Sequence, residues 1–234
     1  MASLSNLGVD EWIPPVMAFM NLTPNAVSFN LDDFSQFITA FEKVYMHRPL
    51  KTQIKSQREM VCYSASVRID ADMPFDSVME WLKRHAGNSG YQTRLNAILR
   101  EARPNQVNLI KAILLRLDAA RSEQKIIQAA TWRITIEHIL PQALVNEYWI
   151  NRFQPQEHVY WLHKIGNLTL ISGSKNSEAQ HYDFIKKKSI YEKLNSKSSF
   201  DLTKDVCNSS EWGLAELKMR HEKMKTQLKK LWLV

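Results

Sequence analysis

Ile136-Glu137-His138-Ile139-Leu140-Pro141, followed by Ile165-Gly166-Asn167-Leu168-Thr169-Leu170 and then Asn176, is the part of the sequence on which the reading of the fold turns. It sets a carboxylate beside a histidine at the end of a run with β character. Two asparagines follow about thirty and about forty residues later. Ile134, Ile136, His138 and Leu140 alternate with Arg133, Thr135 and Glu137, the period of a half-buried strand, so a strand is expected from Ile126 to Leu140 with Pro141 ending it. Strict alternation sends Glu137 and His138 to opposite faces, so the two serve one site only if the strand twists or breaks before Pro141. A second strand is expected over Asn167–Ser172, with Leu168 and Leu170 on one side and Thr169 and Ile171 on the other. Between the strands, residues 155–164 predict a short helix with Val159, Trp161 and Leu162 inward, closed by Gly166.

Downstream, residues 177–194 predict one helix carrying Lys186-Lys187-Lys188 and Tyr191. Asn208 to Glu211 predicts a capping-box start for a long last helix. Its stripe is Leu214, Leu217, His221, Met224, Leu228 and Leu231. Upstream, prolines 14, 15 and 24 limit residues 1–30 to short helices or docked loop. Leu31 opens a helix with Phe34, Phe37, Ile38 and Phe41 at helical spacing, begun by Asp32 and Asp33 and ended by Pro49. Residues 52–72 show no clear pattern. Further helices are expected from Met73 through Leu82 to a stop at Gly87–Gly90, over Tyr91–Leu99, and after Pro104 with Val107, Ile110, Leu114 and Leu117 on one stripe. The fold expected is α+β and mostly α, with a helical domain over 1–128 and a second domain over 129–234.

Apolar residues make up 44% of the 234, enough for a substantial core, and Lys plus Arg outnumber Asp plus Glu by 31 to 24. Residues 131–234 hold 16 basic and 11 acidic side chains. That surplus suits a polyanionic partner. Cys62 and Cys207 form no zinc pair and predict free thiols, and no apolar run approaches the ~20 residues of a membrane span. A cytoplasmic protein with no membrane partner is expected. No phosphate-cradling Gly-rich loop is present.

The residues of the opening stretch suit hydrolysis of a phosphodiester. That chemistry asks for a base to take a proton from water and a divalent cation to neutralise charge on phosphate. Neutral imidazole fits the first task, and carboxylate and amide oxygens fit a hard ion such as Mg²⁺, with Mn²⁺ the alternative. Lys186, Lys187 and Lys188 are candidate phosphate contacts, with Arg133, Lys164 and Lys175 as weaker ones. Each feature also has a plain structural meaning: a core histidine, a Gly-Asn turn, a helix-capping Asn176, a solvated lysine face. His158, His163 and His221 read as packing or surface residues.

Glu-His-Ile-Leu-Pro-Gln at 137–142, Ile-Gly-Asn-Leu-Thr-Leu at 165–170, Asn176, Phe184 with the three lysines, and Tyr191 together resemble the C-terminal HNH domain of GmrSD-type restriction endonucleases. Related phage-defence nucleases that sense DNA phosphorothioation share that domain. The resemblance is good from Trp132 to Tyr191 and extends through Trp212 and Arg220. It implies a ββα-metal nuclease domain with a long C-terminal helix, acting on DNA as the effector of a phage-defence system. His138 would be the general base and Glu137 a metal ligand. Asn167 would brace the loop and orient His138, and Asn176 would be the second ligand, with His181 as its alternative. Two departures stand out: Glu137 occupies a place where Asp is common, and the long interval to Asn167 requires residues 149–164 to fold aside. The resemblance also implies an upstream NTPase and sensor, as domain or subunit, beyond these residues. The rival expectations are a catalytically inactive basic DNA-binding module of the same fold and a helical interaction protein.

Overall fold

A computed structural model of the chain describes residues 2–5, 7–21, 31–51, 55–70, 73–86, 106–121, 134–193 and 200–232. Across these the protein is mostly helical α+β, with one two-stranded antiparallel sheet. The helix expected over Tyr91–Leu99, the Gly87–Gly90 stop, Pro104, and the expected strand from Ile126 to Arg133 lie outside the described residues. By compactness the chain forms two units. One comprises Ser3–Ala97 with Lys229–Val234, the other Ile98–Leu228. The expected boundary at 128/129 falls inside the second.

The first unit holds α1 (Ala2–Ser5), α2 (Ile13–Asn21), α3 (Leu31–Lys51), α4 (Lys55–Asp70) and α5 (Phe75–Ala86). Pro14 and Pro15 sit in the first turn of α2, where a missing N–H breaks no bond. Phe37, Phe41 and Tyr45 face inward from α3, with Phe19 of α2 stacked on Phe37 at 4.4 Å between ring centres. α3 continues to Lys51, past the expected end at Pro49. A proline in the last turn disturbs only the closing bonds, so the helix stops two residues later rather than at the ring. α4 replaces the unpatterned 52–72 stretch. Its buried stripe is Arg58, Val61, Cys62, Ala65 and Ile69, correctly spaced but with few strongly apolar members. Arg58 is buried because its guanidinium meets Glu11 at 2.6 Å.

The second unit runs α6 (Val107–Ala119), β1 (Ile134–His138), α7 (Glu147–Ile150), α8 (Pro155–Trp161), a 3₁₀ turn over Ile165–Asn167, β2 (Leu168–Ser172), α9 (Gly173–Ala179), α10 (Phe184–Glu192), α11 (Asp201–Cys207) and α12 (Leu214–Trp232) as far as Leu228, the end of that helix being grouped with the first unit. α6 packs on the sheet and on α11. It buries Ile110, Leu114 and Leu117 as expected, while Val107 at its start is half exposed. β1 and β2 pair with Glu137 opposite Thr169 and His138 opposite Leu168. Leu168 to Ile171 are all buried, because α11 covers the face that carries Thr169. Thr203 of α11 donates to the Leu170 carbonyl at 2.5 Å. The core gathers Ile139, Leu140, Trp149, Phe153, Phe184 and Trp212.

Several local expectations change. α8 forms, but Val159 is 75% exposed and the helix buries none of its residues fully. Gly166 does not close it, since Leu162 does. The glycine is needed for a different reason: a Cβ there would stand 2.6 Å from the Cβ of His221 and 2.8 Å from its backbone. The single helix over 177–194 is two, α9 and α10. Gln180 takes a positive φ of 33° between them, and Asp183 caps α10 by accepting from the Lys186 N–H at 2.8 Å. Asn208 ends α11 instead of starting the last helix. The N–H acceptor at the head of α12 is Glu216, which takes the Gly213 N–H at 2.8 Å, the reciprocal half of a capping box shifted along the chain. At the far end of α12, Trp232 rather than Leu231 is buried.

Gly166→Ala is therefore expected to destabilise the protein by about 1–3 kcal/mol through overpacking. Gly213→Ala, whose new methyl would meet only the end of the Glu216 side chain at 3.3 Å, should cost much less. Urea midpoints of the two variants decide the matter.

Candidate active site

β1 stops at His138, and Ile139 and Leu140 turn away before Pro141. Alternation holds to that point, so Glu137 and His138 leave the strand on opposite sides.

Glu137 is buried, and its Oε1 accepts two bonds. Lys187 Nζ donates at 2.7 Å and the Tyr191 hydroxyl at 2.9 Å, both from α10. The same ammonium donates to the His138 carbonyl at 2.7 Å. Burial raises the Glu137 carboxyl and lowers the Lys187 ammonium, each opposed by the charge of the other. Burial and the neighbouring Glu137 charge raise the Tyr191 hydroxyl far enough to keep it a proton donor.

His138 is half-buried in the wall of a cavity of about 460 Å³ between β1 and α6. Its Nε2 lies 3.2 Å from Nδ1 of His163, with the rings edge to face. The Gln142 amide nitrogen lies 3.5 Å from His138 Nδ1. Burial first, then His163, Lys187 and His158, lower the His138 imidazole to about 4, so it is neutral at neutral pH. His158 sits nearby, its Nε2 2.8 Å from the Pro141 carbonyl.

Asn167 is wholly buried in the 3₁₀ turn. Its Oδ1 accepts the Leu140 N–H at 2.7 Å, and its amide nitrogen donates to the carbonyls of Leu140 and Leu162 at 3.0 and 2.8 Å. Its own carbonyl accepts the Ile139 N–H at 3.0 Å. It touches the loop that follows His138, not the imidazole. Asn176, on α9, donates from Nδ2 to Thr135 Oγ1 at 2.9 Å and to the Ile136 carbonyl at 3.0 Å. A carbonyl only accepts, so the amide orientation is determined chemically. Thr135 shares its strand face with Glu137, which brings the Asn176 amide to the carboxylate side of β1.

The other expected residues scatter. His181 is exposed in the turn between α9 and α10, and no hydrogen bond joins it to Glu137 or Asn176. Lys186 is exposed near the Tyr182 ring, and Lys188 donates to the Ser209 carbonyl at 3.1 Å. Lys187 is 1% exposed, so the three lysines do not form one phosphate grip. Lys164 is buried with its ammonium 4.1 Å from the centre of the Tyr160 ring, and Lys175 donates to the Tyr191 carbonyl at 3.0 Å. Arg133 lies outside the described residues. His163 had no motif to mark it, and only its approach to His138 reveals it. His221 is buried beneath Gly166, whose N–H its Nδ1 accepts at 3.3 Å. Beside it, Arg220 donates to the carbonyls of Gly166 and Leu168 at 2.7 and 2.9 Å.

Among the described residues no group of three or more His, Cys, Asp or Glu could hold a metal ion. The donors available at β1 are one carboxylate and one amide. The carboxylate is already engaged by the Lys187 ammonium and the Tyr191 hydroxyl. Carboxylate and amide oxygens are ligand types that a hard divalent ion takes, but this carboxylate is buried in an ion pair with Lys187.

A family model described as "GmrSD restriction endonucleases, C-terminal domain" matches residues 90–227. No curated protein matches the chain.

Two measurements follow from this geometry. Lys187→Met should lower stability by about 3–5 kcal/mol by stranding the Glu137 carboxylate, while Lys186→Met should leave it nearly unchanged, as read from denaturant curves. His221 supplies a pH signature. Burial, with Lys225 a lesser cause, lowers its imidazole to about 4, well below 6.5. Between those values the unfolded chain takes up a proton that the folded one refuses, so stability falls as pH drops from about 6.5 toward 4. His221→Asn, which keeps an acceptor for the Gly166 N–H, should show a shallower fall between pH 7 and pH 5.

Proposed function

From the premise that the chain belongs to the GmrSD restriction endonuclease C-terminal domain family, we propose that it is a divalent-metal-dependent DNA endonuclease of the HNH type. Its ββα element would be β1, β2 and α9, the segment that carries His138, Asn167 and Asn176. The observation that most supports this reading is the state of His138. The residue is a neutral imidazole in the wall of a cavity, with its Nε2 directed at His163.

In this reading the His138 imidazole takes the proton of the attacking water, and His163 orients the ring. Asn167 is a positioning residue that holds the 139–140 loop. Glu137 and Asn176 would hold the ion, Mg²⁺ with Mn²⁺ as substitute, on the strand face opposite His138, and when bound it would supply Lewis-acid charge neutralisation at the phosphate. Lys187 neutralises Glu137 and anchors the His138 carbonyl, which fixes the end of β1. Lys186 and Lys188 remain candidate DNA contacts. His181, exposed and away from these bonds, is not needed as a ligand. The protein would act in the cytoplasm as the effector of a restriction or phage-defence system, with an NTPase and sensor supplied elsewhere. Helix α12 has no window apolar enough to cross a membrane, and neither has any other described helix.

The test is nicking of supercoiled plasmid in Mg²⁺ or Mn²⁺. His138→Ala should lose roughly 10²–10⁴-fold in rate, the usual contribution of a positioned general base. A His138→Ala protein that nicks like its parent removes the base assignment. A parent that binds DNA without cutting it leaves a binding module of the same fold.

A further inference from the structure

The cavity beside His138 is larger than proton transfer requires. Its volume of about 460 Å³ lies in the range of small-ligand sites, and its walls combine aliphatic with polar side chains. Val107 and Ile110 of α6 form one side, and Ile134 and Ile136 of β1 the other. Into it also project Lys111 and Asn108, one helical turn apart on α6 and therefore on one face. Val107 remains 53% exposed at its mouth although it is a large hydrophobic residue beginning a well-buried helix. Burial lowers the Lys111 ammonium. An apolar trough with a cation and an amide on one wall and an imidazole at the end matches the parts of a nucleotide, in which an apolar sugar and base face join a charged phosphate.

We infer that this cavity is the subsite for the nucleotide next to the scissile phosphate. The sugar and base lie between Val107 and Ile136, and the nucleotide's own phosphate lies on Lys111. The inference rests on the endonuclease reading, but it assigns to α6 a role that reading does not need. A base seated between aliphatic walls has left its stack, so DNA binding here is accompanied by local unstacking at the cut position.

The full chain tests this through three variants. Lys111→Met should weaken binding of a short duplex roughly tenfold and reduce the slope of log affinity against log salt by about 1, and Lys111→Arg should restore both. Val107→Trp fills the mouth from an exposed position. It should cut nicking at least tenfold while leaving the salt slope at the parent value. A 2-aminopurine placed beside the mapped cut should brighten on binding to the parent and stay dim with Val107→Trp. If the parent nicks and none of these variants alters nicking, salt slope or fluorescence, the subsite is wrong and the endonuclease stands. Should the parent fail to nick while Lys111→Met still flattens the salt slope and 2-aminopurine at any position still brightens, the endonuclease reading falls and the nucleotide site survives. A parent that neither binds nor nicks DNA overturns both.

Discussion

A two-stranded sheet with five residues on each side has little stability of its own. The protein holds the end of this one with buried polar side chains that grip its backbone. Lys187 takes the His138 carbonyl, and Asn167 takes both backbone groups of Leu140. Arg220 takes the carbonyls of Gly166 and Leu168 at the head of β2. Three separate elements, α10, the 3₁₀ turn and α12, thus converge on a few residues of backbone. These groups lose hydration on burial and recover it only in this arrangement, so the fold around His138 is tightly specified.

The Glu137–Lys187 pair shows what such a device does and what it does not. A buried ion pair contributes little net stability compared with an apolar pair of equal size, but removing either half is expensive. Its effect is geometric. One ammonium contacts both a side-chain oxygen of residue 137 and the carbonyl of residue 138, so the carboxylate and the histidine share one anchor on opposite faces of the strand. The strand does not twist to bring the two side chains to one face. It ends at His138, and the anchor determines where the two side chains leave it.

Much of this was legible in the sequence wherever a pattern repeats along an element. The Leu168–Ile171 run, the Phe37–Phe41–Tyr45 side of α3 and the Leu217–His221–Met224–Leu228 stripe all correspond to buried positions, whereas in β1 the buried residue is Glu137 and the alternating Ile134, Ile136 and His138 are half-buried. Features set by tertiary contact were not legible. α4 hides its inward face behind Arg58, Cys62 and Ala65, residues that become core only once Glu11 supplies a partner. Gly166 looked like a helix stop and is a point of contact with His221. His163 stands 25 residues from His138 in a stretch without any motif, and only the fold of α8 brings their rings together.

The lysine triplet carries the same lesson in helical geometry. Successive residues of an α-helix are about 100° apart, so three in a row sweep roughly 200° of the circumference. α10 packs one side into the core through Phe184, Ile190 and Tyr191. On such a helix three adjacent lysines cannot all face solvent, and the middle one, three residues after Phe184 and four before Tyr191, falls on the buried side. A run of like charges there is not one basic patch. It is a pair of surface cations flanking a third, and that third is kept charged by a carboxylate the second unit had already buried on β1.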